Sequence, residues 1–312
     1  MRRGQNKFNP KFPQATPHLE GALTERQYEI LRFVGHCKYV TKHHVMPFFS
    51  HLVAAPVRGK KTNQAISNDL ETLFHYGRYL DRPHHETQKA MDAEREDGGK
   101  LPLVYSLTQK GRDALISWQP DKEDEFRHYI RVASSKSKVY IPNLKHYLMV
   151  TQFYVLLTLA LRQAGGHYLR RQFEGPRIGN TRGRHAVWRQ PDFAARVRVC
   201  GDSGIVRTTN MLLEAERTSK RHKFGEKLRH YIQLYRSGAL KQAIGTDPVM
   251  VLVVTSTKAK RNSWRKLAEK SELPQMFWFA HEADFDLKNP ETFWHELWVR
   301  GESEEPVSIF PS

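Results

Sequence analysis

The chain has 312 residues, a net charge of +17 at pH 7 and 39% hydrophobic residues. Its length allows two domains. The two cysteines, Cys37 and Cys200, are too few and too far apart for a disulfide scaffold or a zinc ribbon, and they fit a cytoplasmic protein. We expect no signal peptide after Met1 and no membrane span, since the longest apolar stretch, 148–161, is short.

The positive charge is concentrated in the middle of the chain. Residues 127–241 contain 23 Lys or Arg and 6 Asp or Glu, and 23 − 6 = +17 is the whole net charge. A basic excess confined to one region is typical of a surface that binds a polyanion. No basic amphipathic helix with a bulky apolar face dominates the region, so DNA is favoured over a membrane as the partner.

Residues 1–20 are predicted to form a flexible basic arm, and residues 21–125 a DNA-binding domain. Thr24 and Thr41 are candidate caps of two helices, and a third helix is predicted over 62–76, ending at Gly77. Two strands, 79–82 and 103–107, and a closing helix after Thr108 follow. This order resembles a winged helix-turn-helix, in which the third helix enters the major groove of DNA.

The polar residues at the start of the third helix and the basic residues around it are the predicted DNA contacts. Amide, hydroxyl and guanidinium groups bind base edges and phosphates. The predicted contacts are Arg58, Lys60, Lys61, Thr62, Asn63, Gln64, Ser67, Asn68 and Arg82, with Lys227 from a basic helix further along the chain. A winged helix that binds protein instead of DNA is the alternative.

Residues 121–125 are an acidic stretch without clear periodicity, so the second domain is predicted to cover 126–312. It begins with a long helix from 144 to 164, and strands are predicted at 167–173, 186–199, 210–216, 249–255 and 275–280. A basic helix over 219–236 and another over 261–272 separate the later strands, and 282–305 is predicted to be an acidic tail. The fold class is therefore α+β or α/β.

Two carboxylates follow an apolar run in the strand 210–216. Successive side chains of a strand alternate between its faces, so Glu214 and Glu216 are predicted to lie on one face. Like charges on one face repel each other unless a metal ion or another cation lies between them. Asp192, which follows Pro191 at the head of the preceding strand, is a candidate third member of an acidic site.

This order of elements and motifs resembles the PD-(D/E)XK nuclease fold. The resemblance implies that Asp192 and Glu214 bind Mg²⁺ or Mn²⁺ and that Asp192, Glu214 and Glu216 are catalytic. The third motif position is usually Lys in such enzymes, but here it is Glu216. Glu174 is a possible further ligand, and Lys220 or Lys223 is a candidate for the missing cation.

The chain from Leu23 to about Trp298 also resembles the replication-relaxation family of plasmid and mobile-element proteins. The resemblance depends on the winged-helix signature, Pro191-Asp192, and the blocks 213–218, 227–231 and 251–255. Members usually carry Asp where this chain has Glu216. The family implies DNA binding in replication, relaxation or mobilisation, with replication or mobilisation proteins as further partners. The oligomeric state stays open, with a dimer among the possibilities.

Three functions remain open from the sequence. The first is a metal-dependent DNA endonuclease, and the second is a non-catalytic origin- or operator-binding protein with a degenerate nuclease-like domain. In the second, Glu214 and Glu216 form only salt bridges, for example with Arg198 and Arg217. The third is an adaptor that binds a partner enzyme through the acidic tail. No zinc spacing, relaxase-type His cluster or phosphate-binding glycine loop is present.

Overall fold

A computed structural model describes most of the chain beyond the N-terminal arm. The described residues are 22–52, 62–83, 87, 91, 102–129, 141–180, 186–200, 206–217, 220–245, 248–295 and 297–309. The predicted arm and the predicted DNA contacts Arg58, Lys60 and Lys61 lie outside them. Contacts divide the chain into unit 1, residues 1–151, and unit 2, residues 152–312. The predicted boundary at 125/126 stays a prediction.

Unit 1 consists of short helices and a small antiparallel sheet. Three of its helices have threonine N-caps at the predicted positions, and Thr24 and Thr108 each accept a backbone N–H bond through the hydroxyl. The helices are α1 Glu25–Cys37, α2 Lys42–Phe49, α3 Thr62–Glu71, α4 Gln109–Trp118 and α5 Glu123–Arg127. The strands are β1 Val40–Thr41, β2 Leu80–Asp81 and β3 Val104–Leu107, in the order β1-β3-β2.

Two segments of unit 1 differ from the sequence prediction. The third helix changes to a π-helical turn at Thr72–Tyr76 before it ends at Gly77. The stretch 121–125, predicted to be an irregular link, lies in a 3-10 turn and α5 instead. Phe126 explains this difference, because its fully buried ring ties the short helix to the core of the unit.

The helix α6, Ile141–Gln163, contains the division between the two units. Among the described residues it is the one helix that is long and apolar enough to cross a membrane. The expectation from the sequence concerned only the shorter apolar stretch 148–161 and not the whole helix. Within its most apolar window, 67% of the helix is buried inside the protein. This burial is consistent with a core helix of a soluble protein.

Unit 2 is built on a mixed sheet with the order β12-β11-β10-β9-β8-β7-β4 in the described part of the chain. Strand β8 pairs with β7 antiparallel and with β9 parallel, and β9 pairs with β10 parallel. The strands are β4 His167–Phe173, β7 Phe193–Cys200, β8 Val206–Glu216, β9 Val249–Thr255, β10 Phe277–His281, β11 Trp298–Arg300 and β12 Pro306–Val307. A separate hairpin consists of β5 Ile178–Asn180 and β6 Val187–Arg189. The predicted strand 186–199 is therefore two strands, divided around Pro191, whose missing N–H cannot join a ladder.

Helices cover both faces of the sheet. The second half of α6 packs on one face, where Phe153 and Tyr154 contact Phe193. We call this the α6 face. The other face, the α7 face, packs against α7 Arg221–Arg236, α8 Ala239–Ile244 and α9 Lys258–Glu269. Such a sheet, buried on both faces, accounts for the continuous apolar run of β9.

The predicted acidic tail is part of the fold. It forms α10 Thr292–His295 and the strand β11, and β12 follows directly after it at the edge of the sheet. Phe293 and Trp298 are fully buried, and the indole of Trp294 donates to the carbonyl of Ala160 in α6. These aromatic side chains supply enough apolar surface to fold the segment despite its acidic composition.

Candidate functional site

The acidic site lies at the carboxyl end of β8, the strand at the junction of the antiparallel and parallel halves of the sheet. Glu214 is opposite Val253 of β9 and Glu216 is opposite Thr255, so both carboxylates lie on the α7 face as the alternation predicts. Glu214 is 4% exposed and Glu216 is 3% exposed. Two buried carboxylates on one face require a compensating positive charge.

Lys227 of α7 supplies that charge. Its Nζ lies 2.6 Å from Oε2 of Glu214 and 3.0 Å from Oε2 of Glu216. One turn further along α7, the hydroxyl of Tyr231 donates to Oε1 of Glu214 at 2.7 Å. Residues four apart lie on one face of a helix, so α7 presents an ammonium and a phenol to the same carboxylate.

Asp192 lies beside these groups in the turn that precedes β7. Its backbone N–H donates to the carbonyl of Leu213 at 2.9 Å, and its Oδ2 accepts from the N–H of Ala215 at 2.7 Å. The two bonds bracket Glu214 and hold the Asp192 carboxylate at the end of β8. The negative charge of Asp192 acts on Glu214, Lys227 and Tyr231 alike.

Burial and charge set the protonation of the site. Burial raises the pKa of the Glu214 carboxyl above its ordinary value, against the lowering effect of Lys227. Burial opposes the charge on Lys227, but Glu214 and Glu216 outweigh it and raise the pKa of the ammonium. Burial and the neighbouring Glu214 also raise the pKa of the Tyr231 phenol, which therefore remains a hydrogen-bond donor. Lys227 is thus a fixed positive charge at neutral pH.

The sequence model of the replication-relaxation family matches residues 31–250, more than two thirds of the chain. The chain belongs to the replication-relaxation family. This confirms the resemblance drawn from its motifs. Comparison with curated proteins and with solved structures gave no match. The matched span includes the whole acidic site, so the site lies in the part of the chain that the family model covers.

The three accessory residues predicted from the sequence lie around this site in different ways. Glu174 has a positive φ of 46°, and its backbone N–H donates to the carbonyl of Asp192 at 2.9 Å. Its side chain is exposed, as are those of Lys220 and Lys223 near the start of α7. The cation beside the carboxylates is Lys227, which the sequence analysis assigned to DNA contact.

Lys227 and Tyr231 were missed as partners of the carboxylates, although the helix period contains the signal. Phe224 and Leu228 of α7 are buried, and Lys227 lies three residues after Phe224 and four before Tyr231. Positions i, i+3, i+4 and i+7 form one stripe of a helix, so Lys227 belongs to the buried stripe. A lysine in that stripe, together with two carboxylates on the adjacent strand, predicts an internal ion pair.

In unit 1, some of the predicted DNA contacts are exposed and others are buried. Gln64 and Asn68 are exposed and share a hydrogen bond of 2.8 Å on α3, and Ser67 is half-buried. Thr62 and Asn63 lie in α3, but their side chains are outside the described part. Arg82 is buried, with its guanidinium 3.9 Å from the ring centroid of Phe74 and close to Tyr105. We therefore remove Arg82 from the proposed DNA contacts, because packing uses its guanidinium.

Proposed function

We propose that this protein binds DNA during replication or relaxation of a mobile genetic element and that unit 2 hydrolyses phosphodiester bonds with Mg²⁺ or Mn²⁺. The proposal depends on one observation: Asp192, Glu214, Glu216 and Lys227 converge at the end of β8. Membership of the replication-relaxation family supports the choice of DNA as the substrate. The net charge of +17 also fits a polyanionic partner.

The finer fold assignments belong to this proposal. A winged helix in unit 1 is supported by α1, α2 and α3, followed by the short strands β2 and β3 and the closing helix α4. A PD-(D/E)XK-like unit 2 is supported by α6, the antiparallel pair β7–β8, the helix α7 and the parallel strand β9. In this assignment the polar residues of α3 contact DNA, and β8 carries the catalytic carboxylates.

Asp192 and Glu214 are the residues that would hold the metal ion. The described residues contain no group of three or more His, Cys, Asp or Glu side chains arranged for an ion. Two carboxylates fit Mg²⁺, which often keeps several water ligands and binds through one or two carboxylates. When bound, the metal lowers the pKa of a water molecule and neutralises charge on the phosphate.

Lys227 has an electrostatic role in this proposal. Because Glu214 and Glu216 hold its ammonium in the protonated form, it cannot serve as a general base at neutral pH. A fixed positive charge beside the scissile phosphate stabilises the charge that develops there. Glu216 occupies the strand position where related nucleases carry Lys. Its carboxylate lies 3.0 Å from the Lys227 ammonium, so in this proposal a lysine from α7 takes the place of the missing strand lysine.

Cleavage of DNA tests the proposal. Wild type should nick or cut supercoiled and linear DNA in Mg²⁺ or Mn²⁺, whereas Asp192→Ala and Glu214→Gln should reduce cleavage to background. Glu226→Gln, which removes an exposed carboxylate from α7, is the matched control and should cut like wild type. If wild type cuts neither DNA, or if Asp192→Ala cuts as well as wild type, the nuclease proposal is lost.

A second candidate is a non-catalytic DNA-binding protein, and one observation favours it. Lys227 lies between Glu214 and Glu216 and compensates their charge without a metal ion. In that case DNA binding is independent of EDTA, is steeply dependent on salt and survives Asp192→Ala. Mn²⁺ distinguishes the two candidates, since only the nuclease binds the ion through Asp192 and Glu214 and gains thermal stability from it.

A further inference from the structure

Three arginines lie on the α7 face of the sheet, away from the carboxylates. Arg170 of β4 is directly opposite Arg196 of β7, and Arg198 follows two residues later on the same face. Arg170 and Arg198 are exposed, and Arg196 is half-buried. We call Arg170, Arg196 and Arg198 the arginine strip.

Like charges face each other within the arginine strip, where Arg170 is paired with Arg196. Like charges directly opposite each other on paired strands destabilise a sheet. The strands β4 and β7 and the part of β8 before Glu214 contain no Asp or Glu, so these strands supply no carboxylate to offset the charge. A polyanion bound along the strip would remove this repulsion.

Arg170 and Arg196 of the arginine strip line a cleft on the α7 face, the face that also carries the acidic site. Arg170, Arg196, Asn210, Pro176 and Ile244 are among its lining residues. Asn210 is opposite Arg196 on β8 and precedes Glu214 by four residues on the same face. At 3.3–3.4 Å per residue, the strip therefore lies about 13 Å from Glu214 along the strand.

The hairpin β5–β6 lies near this cleft and carries an exposed aromatic ring. Its first strand contacts α8, the helix that contributes Ile244 to the cleft, and it begins two residues after Pro176. Trp188 packs against Gly179, where an added Cβ would come within 2.0 Å of the ring. The guanidinium of Arg177 is 4.8 Å from the centroid of the same ring, yet Trp188 is 41% exposed.

We propose that the arginine strip and Trp188 form a binding track for single-stranded DNA on unit 2. Phosphates lie on the strip, and an unpaired base stacks on Trp188 or on the adjacent Arg177. Guanidinium groups bind phosphates through strong, often bidentate hydrogen bonds. An exposed aromatic ring beside a basic groove is characteristic of single-strand binding. In a duplex the base faces are already stacked, so Trp188 favours an unpaired strand. The choice of DNA rests on the proposed function.

Binding of a labelled single-stranded oligonucleotide and of the corresponding duplex, measured in EDTA by fluorescence anisotropy, tests the strip. Arg170→Gln should weaken single-strand binding and reduce the slope of log K against log salt by about 0.7, one phosphate contact. Arg170→Gln with Arg198→Gln should double the reduction. Arg171→Gln is the matched control, because Arg171 lies on the opposite face of β4, over Tyr154 and Tyr168.

Trp188→Ala tests the stacking. Loss of the stacking between the indole ring and one base should weaken single-strand binding by about 5- to 150-fold and leave duplex binding nearly unchanged. Tyr235→Ala removes another exposed aromatic ring, on α7, and should leave both affinities unchanged. Thermal unfolding of each variant separates a lost contact from a lost fold.

Three outcomes overturn the inference: wild type does not bind the single strand, Arg171→Gln weakens binding as much as Arg170→Gln, or Trp188→Ala weakens duplex and single-strand binding equally. The assay contains no metal, so these results are independent of cleavage. If wild type cuts no DNA in Mn²⁺ but the strip and Trp188 variants lose single-strand binding, the nuclease proposal fails and the binding track stands. If wild type cuts DNA and the strip variants bind normally, only the track fails.

Discussion

The α7 face of the sheet carries opposite charges at its two ends, and the two ends are stabilised differently. At the carboxyl end of β8, Glu214 and Glu216 are buried and are compensated within the fold by Lys227 and Tyr231. At the other end, Arg170 and Arg198 are exposed on strands without acidic residues. The acidic end is thus compensated by side chains of the fold itself, whereas the strands that carry the arginine strip supply no carboxylate.

Replacement of the central cation should give the largest effect. Lys227→Met leaves Glu214 and Glu216 buried without their ammonium, and breaking a buried pair in this way costs about 3–5 kcal/mol of stability. Lys223→Met, on the exposed face of the same helix, should change stability by less than about 0.5 kcal/mol. Chemical denaturation measures both. Equal effects of the two variants would show that the carboxylates do not depend on Lys227.

The metal ion provides a second readout of the same variant. If Asp192 and Glu214 bind a divalent ion, Mn²⁺ should restore part of the stability that Lys227→Met loses, because the ion replaces the missing charge. Wild type should gain less, since its ammonium competes for Glu214. If Mn²⁺ changes the stability of neither protein, the non-catalytic candidate is favoured.

The phenol of Tyr231 should have the next largest effect. Tyr231→Phe keeps the packing of the ring but removes the O–H that donates to Glu214, and a hydrogen bond to a charged group contributes about 1.5–3 kcal/mol. Tyr235→Phe is the control, because Tyr235 is 53% exposed on the same helix. Urea unfolding of the two variants should differ by the contribution of this one bond.

Sequence periodicity predicted much of this arrangement. Thr24, Thr41 and Thr108 were recognised as caps from residue type and position, and the alternation of β8 predicted that Glu214 and Glu216 share a face. Both signals are local, so a single sequence contains them. They fix the elements and the faces of their side chains.

The interactions between elements were harder to predict. Lys227 was predicted to contact DNA as a residue of a basic helix, and only the position of α7 over β8 shows its ion pairs. The acidic composition of 282–305 similarly hid the short strand β11, whose Trp298 is buried by residues distant in sequence. Composition describes the average of a segment, whereas a few apolar side chains decided its fold.

Proton linkage at the acidic end should be intermediate in size. Burial raises the pKa of the Glu214 carboxyl above its ordinary value of 4.5, so the protonated carboxyl persists to a higher pH than in an exposed glutamate. Ionisation of Glu214 therefore costs stability as pH rises through the raised pKa, and metal binding, which needs the carboxylate, tightens over the same range by at most about tenfold per pH unit. Mn²⁺ titration between acidic and neutral pH should show this trend in wild type and lose it in Glu214→Gln.

The smallest effect should come from the arginine strip, and its sign should be opposite. Arg170→Gln removes one of two like charges that face each other across β4 and β7, so it should stabilise the free protein by about 0.2–1 kcal/mol. Screening weakens repulsion between exposed charges, so the gain should shrink as salt rises. Arg171→Gln, on the other face, should not reproduce it. A loss of stability in Arg170→Gln would mean that the strip is compensated within the fold, and the contrast between the two ends of the face would disappear.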